Sequence, residues 1–192
     1  MIRLQDLSAA IYGAWRLAWV DPRGLAYFDA SERGYWQSFW AAVIAAPAYS
    51  LIVAINLSGP DYADAPPIDD LRLLSIELIA YVISWTAFPL AMVTVTKMLG
   101  REAQYMRYIV AANWGGLLEM TAFLPATAVG ETVLALEVLP VLVSVAMFSY
   151  EWYIARTALA ITSRQALIPV AINFAFGLII AIIARALILT PT

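Results

Sequence analysis

The sequence predicts an all-α polytopic membrane protein: a bundle of five transmembrane helices preceded by an interfacial amphipathic helix. Five apolar runs, 35–56, 73–98, 105–129, 133–155 and 166–189, carry most of that prediction. Each is long enough to cross a hydrocarbon core about 30 Å thick at about 1.5 Å of rise per residue. Composition agrees, because 63% hydrophobic and 13% charged residues leave too little polar surface to coat a water-soluble globule. The third observation is that basic residues gather on alternate connections.

Arg3, Arg16, Arg23 and Arg33 precede the first run, Lys97, Arg101 and Arg107 flank the second connection, and Arg156 and Arg164 flank the fourth. The positive-inside rule places these regions in the cytoplasm. The first connection carries Asp61, Asp64, Asp69 and Asp70 with no basic residue before Arg72, and the third, around Gly130 and Glu131, has none. Both therefore face outside, the N-terminus lies in and the C-terminus out. Ten arginines against one lysine, with abundant alanine, suit a GC-rich bacterial genome. The expected location is thus the bacterial cytoplasmic (inner) membrane, with a periplasmic C-terminus.

Residues 1–34 form the first unit and 35–192 the transmembrane domain. The first unit holds four arginines and no compact apolar core before a small-residue cleavage site, so it does not read as a signal peptide. Leu4, Leu7, Ile11, Trp15 and Ala18 recur at helical spacing, which predicts an amphipathic helix on the cytoplasmic leaflet. Asp21-Pro22 has the N-cap chemistry of a second short helix, and Ser31 can cap the entry to the first span. Trp15, Trp19, Trp36 and Trp40 are the expected interfacial anchors. The segment reads either as an anchor that sets the tilt of span one or as a docking element.

Within the spans, small residues mark close helix packing. Ala112, Gly115 and Gly116 with Asn113 in span three, and Asn173, Gly177, Ala181 and Arg185 at steps of four in span five, are expected to face protein. Asn113 and Asn173 are candidate hydrogen-bond partners across helices. Every span contains a proline, Pro47, Pro89, Pro125, Pro140 or Pro169. Pro47 and Pro89 are interior enough to break a helix around a site.

Charged side chains inside spans must face protein, water or the interface. Glu77, Glu119, Glu137 and Arg185 fall on the outer halves and form a candidate intramembrane polar cluster. It reads structurally as a Glu119–Arg185 pair locking span three to span five, or functionally as a proton or cation site. On the inner half, Glu151 is expected to meet Arg107 or Lys97, while Arg156 reaches the headgroups.

Absent residues exclude much chemistry. Without cysteine or histidine there are no disulfides, no thiolate metal sites, no thiol nucleophile and no serine–histidine hydrolysis. No glycine-rich phosphate loop is present. No catalytic residue, cofactor or metal site is expected, and the chain reads as non-enzymatic. Its expected partners are the lipid bilayer and another membrane protein or a second copy of itself, with no nucleic acid.

The stretch Ser149-Tyr150-Glu151-Trp152-Tyr153, then Ala158-Leu159, then Arg164-Gln165-Ala166 before a last apolar span, resembles the end of the five-span Yip (Ypt/Rab-interacting protein) membrane family. The resemblance covers about residues 36–189. It implies a helical membrane protein without catalysis that works through partners. The Asp-Leu-Tyr-Gly-Pro and Gly-Tyr motifs of eukaryotic members are missing, which puts a GTPase partner in doubt. Two functions stay open at this point: an accessory or scaffolding subunit that docks on another membrane complex or shapes the bilayer, which is preferred, and a small-solute, proton or cation permease using the outer glutamates.

Overall fold

A computed structural model describes residues 2–59, 62, 68–128 and 138–190. Among the described residues seven α-helices follow in order: α1 Leu4–Ala18, α2 Glu32–Ser38, α3 Trp40–Leu57, α4 Asp70–Met98, α5 Tyr105–Ala128, α6 Leu139–Ala158 and α7 Leu167–Leu189. Short 3-10 turns precede α2 (Pro22–Tyr27) and α5 (Glu102–Gln104), and no strand occurs among the described residues.

Three of these stretches are long and apolar enough to cross a membrane: Glu32–Leu57, which joins α2 to α3, Asp70–Met98 and Leu167–Leu189. Their large apolar side chains point outward, with Leu74 64% exposed, Leu90 70% and Ile182 58%. That arrangement suits lipid rather than water as the surrounding medium. α5 and α6 have 24 and 20 residues but also carry Arg107, Asn113 and Glu119, and Glu151 and Arg156, which lower their hydropathy.

Helix α5 is the hub. It touches α1, α2, α3, α4 and α6, while α7 packs chiefly on α4 and α6. A helix enclosed on most sides meets protein rather than lipid, so its surface can be polar and tightly notched. Accordingly Tyr108, Ile109, Val110, Ala111, Asn113 and Trp114 of α5 are all buried.

The N-terminal helix is part of this core, not a layer apart from it. α1 docks on α5, α6 and the 3-10 turn that follows it, burying Ala10, Gly13, Ala14 and Leu17; Gly13 packs on Gly24, Tyr27 and Phe28 of the chain just after α1, and the Tyr150 hydroxyl of α6 donates to the Ala14 carbonyl at 2.9 Å. Of the apolar stripe read from the sequence, Leu4, Ile11 and Trp15 are exposed. The helix thus has two apolar faces: a flat, small-residue one on protein and a bulky one turned outward. Arg23, first, and Arg16 hydrogen-bond the Asp21 carboxylate and hold it well below the usual carboxylate range. Asp21 also accepts from the Arg23 N–H at 3.1 Å as the N-cap of the 3-10 turn, and Ser31 caps α2 by accepting from the Gly34 N–H.

At the basic end of the bundle three helices finish alike. The N–H groups of Asp21, Arg101 and Ile161 bond back to the carbonyls of Arg16, Thr96 and Arg156 at 3.0, 2.7 and 3.2 Å, the long bond of a Schellman motif. Each motif needs a left-handed residue, supplied by Val20 (φ 59°), Gly100 (φ 63°) and Ala160 (φ 52°). Only Gly100 adopts it without the steric cost of about 1–2 kcal/mol borne by other residues. Tyr153 of α6 secures the Val20 turn by donating to its carbonyl at 2.8 Å.

The prolines do not break the helices. α3, α4 and α5 run continuously through Pro47, Pro89 and Pro125. Tyr105 donates to the Pro89 carbonyl at 3.0 Å, and Pro140 lies in the first turn of α6, where proline costs little.

Two glycines test this packing differently. A Cβ on Gly34 would sit on the Asp29 carbonyl, whereas one on Gly100 meets nothing within 4 Å. Gly34→Ala should therefore destabilise by overpacking, about 1–3 kcal/mol or more, and Gly100→Ala only through its left-handed backbone, about 1–2 kcal/mol. Melting temperatures in detergent should fall for both, and further for Gly34→Ala.

Candidate functional site

The antiparallel contact between α5 and α6 is close because Gly115 lacks a side chain. A Cβ there would lie 2.6 Å from Ile154 Cδ1 and 3.4 Å from Tyr150. Beside this contact a cavity of about 460 Å³ lies between α3, α4, α5, α6 and α7. Gly116 forms part of its floor, with Trp85 facing it at 3.6 Å from the position of an added Cβ.

Most polar groups lining the cavity are engaged. The Asn113 amide donates to Ser38 Oγ at 2.9 Å, Ser84 Oγ to the Tyr81 carbonyl at 2.7 Å, and the Tyr49 hydroxyl to Glu77 Oε2 at 2.7 Å. Asn173 Nδ2 of α7 donates to Glu151 Oε1 at 2.7 Å and so orients that carboxylate. Its other oxygen, Glu151 Oε2, is buried without a hydrogen-bond partner. Glu119 lines the same cavity from α5. No lysine or arginine is among the described residues that line it. Two carboxylates lining one largely apolar cavity repel unless a proton or another cation offsets their charge.

This differs from the outer cluster read from the sequence. Glu119 makes no ion pair with Arg185; the ion pairs among the described residues all lie between Arg3 and Arg23. α7 packs on α4 and α6 and turns Arg185 to its exposed outer end, where the guanidinium lies 5.4 Å from the Tyr62 ring centroid. Glu77 is taken by Tyr49, and Glu137 lies outside the described residues. Glu151 meets neither Arg107 nor Lys97. Arg107 instead donates through Nε to the Ala158 carbonyl at 2.7 Å and closes the last turn of α6, a favourable place for a cation. Arg156 lies over the Trp152 ring at 5.5 Å.

Asn113 and Asn173 do not bond each other; they serve Ser38 and Glu151. Gly115, Gly116 and Ala112 face protein or the cavity, but Gly177 and Ala181 are exposed and nothing lies within 4 Å of a Cβ added to Gly177. The face of α7 that meets α4 is a different one. Trp15, Trp19, Trp36 and Trp40 are 50%, 70%, 65% and 39% exposed.

Sequence reasoning missed Glu151 as a partner of Glu119, although a signal was present. Ala112, Gly116, Glu119 and Phe123 on α5, and Ser144, Phe148 and Glu151 on α6, repeat at steps of three and four and so form one face on each helix. Each face carries a single carboxylate amid small and aromatic residues.

No family model matches the chain, and no curated protein or solved structure matches it.

The two glycines of α5 should respond differently to substitution. Gly115→Leu forces α5 from α6 and should lower the detergent melting temperature by the equivalent of about 1–3 kcal/mol or more. Gly116→Ala places a methyl group in ordinary contact with Trp85 and should leave melting within about 0.5 kcal/mol of the wild type.

Proposed function

We propose that this chain is a non-enzymatic, five-span protein of a bacterial cytoplasmic membrane that holds a positively charged ligand between Glu119 and Glu151, as a small permease would. Three stretches have the length and hydropathy of spans. α5 and α6 complete five because they run beside them with comparable lengths. The polar residues that lower their hydropathy lie mostly against protein: Asn113 is buried, and Glu119 and Glu151 face the cavity. The arginine-bearing ends carry the N-terminus in and the C-terminus out. The outward aromatic face of α1, with Trp15 and Trp19, then meets the headgroups of the cytoplasmic leaflet.

Topology is testable because the chain has no cysteine. Ser58→Cys should react with a membrane-impermeant maleimide from the periplasmic side, and Ser163→Cys only after permeabilisation. The reverse pattern would invert the topology, and equal labelling at both sites would contradict it.

The observation that carries the functional reading is the cavity with two carboxylates and no lining cation. It favours ligand binding over the accessory role that the sequence suggested more strongly. A ligand that binds only the folded state raises stability by mass action. At constant ionic strength, at least one of Na⁺, K⁺, Ca²⁺ and a set of organic ammonium or phosphonium ions should raise the melting temperature. Glu119→Gln and Glu151→Gln should abolish that rise, and the exposed Glu102→Gln should keep it. If no cation stabilises the protein, the reading fails. If in addition Gly177→Leu breaks up a detergent-stable assembly, an accessory role through the uncovered face of α7 takes its place.

A further inference from the structure

Resting on that reading of the cavity, we infer that its ligand is a lipophilic organic cation, an ammonium or phosphonium bearing aromatic or alkyl groups, and not a metal ion. Size is the first argument. A volume of about 460 Å³ falls within the range of about 300–1,000 Å³ usual for small-molecule pockets. A bare inorganic ion would leave nearly all of it empty.

The donor set is the second argument. A hard cation such as Ca²⁺ takes about 6–8 oxygen ligands. Among the described residues no group of three or more His, Cys, Asp or Glu side chains is placed to hold a metal. Among the described lining residues only Glu119 and Glu151 are anionic, enough to balance charge but not the carboxylate-rich shell that a strongly hydrated metal ion demands.

The walls are the third argument. Tyr49 from α3, Trp85 and Phe88 from α4, Tyr108 from α5 and Phe148 from α6 bring rings to the cavity from four helices. A weakly hydrated organic cation gains from ring faces through cation–π attraction, and from apolar burial that a strongly hydrated metal ion cannot use. With one positive charge on the ligand, a proton on one carboxyl neutralises the remainder. Asn173 holds Glu151 in place throughout by its hydrogen bond to Oε1.

The test uses the full-length purified chain and two probes of one shape and opposite charge, tetraphenylphosphonium and tetraphenylborate. Binding is measured by equilibrium dialysis against empty detergent micelles. Tetraphenylphosphonium should bind saturably, one per chain, and tetraphenylborate should neither bind nor compete. Trp85→Ala should weaken binding by about tenfold, between the values for an exposed and a fully desolvated cation–π contact. Glu119→Gln and Glu151→Gln should each weaken it by at least that much, while Glu102→Gln leaves it unchanged. Equal binding of both probes would reduce the cavity to an apolar slot and overturn the inference. Should Na⁺ or Ca²⁺ stabilise the protein through Glu119 and Glu151 while tetraphenylphosphonium fails to bind, the cation site stands and its organic class falls. Failure of every cation removes both. If the glutamine variants do not fold, the comparison of the two probes on the wild-type chain still decides.

Discussion

Everything in this bundle depends on how closely α5 and α6 approach. Gly115 lets Ile154 and Tyr150 of α6 pack against the α5 backbone, and that contact sets the spacing of the two helices that carry the cavity carboxylates. It also positions the Tyr150 hydroxyl to hold α1 by the Ala14 carbonyl. In lipid, where apolar burial gives helices little reason to associate, backbone proximity and a few interhelical hydrogen bonds supply the association. A single missing side chain therefore joins the N-terminal helix, the hub and the cavity wall.

The two ends of the molecule are organised differently. At the basic end α1, α4 and α6 close with Schellman turns, Arg107 reaches across to the last carbonyls of α6, and Tyr153 grips the turn after α1. Such cross-links satisfy helix-end carbonyls that would otherwise be exposed. At the other end Arg72 holds the Leu187 and Thr190 carbonyls at the end of α7.

Lining the cavity, Asn113 and Asn173 show why buried polar residues in lipid carry information. Each is committed to a hydroxyl or a carboxylate, Ser38 or Glu151, and neither stabilises a helix pair merely by being polar. Because an unsatisfied polar group is costly in an apolar medium, the groups left over are conspicuous. The Glu151 oxygen without a partner stands out for that reason.

Composition and periodicity by themselves determined that the chain is helical and apolar, where most of its long helices begin, and that Asp21 and Ser31 act as caps. The predicted starts at 35, 73, 105 and 166 lie within three residues of observed helix or span bounds at Glu32, Asp70, Tyr105 and Leu167, because length, apolar content and caps such as Ser31 act locally; the start at 133 lies outside the described residues. The partners of the polar side chains were decided only by tertiary structure. Depth along a helix suggested that Glu119 should meet Arg185, but depth says nothing of rotation about the axis or of which helices are neighbours. α7 settled against α4 with Gly177 and Arg185 exposed, and α5 and α6 turned Glu119 and Glu151 into one cavity. The helical phase of Ala112, Gly116 and Glu119 marked the correct face. Only the packing of α6 onto the Gly115 notch determined what that face would meet.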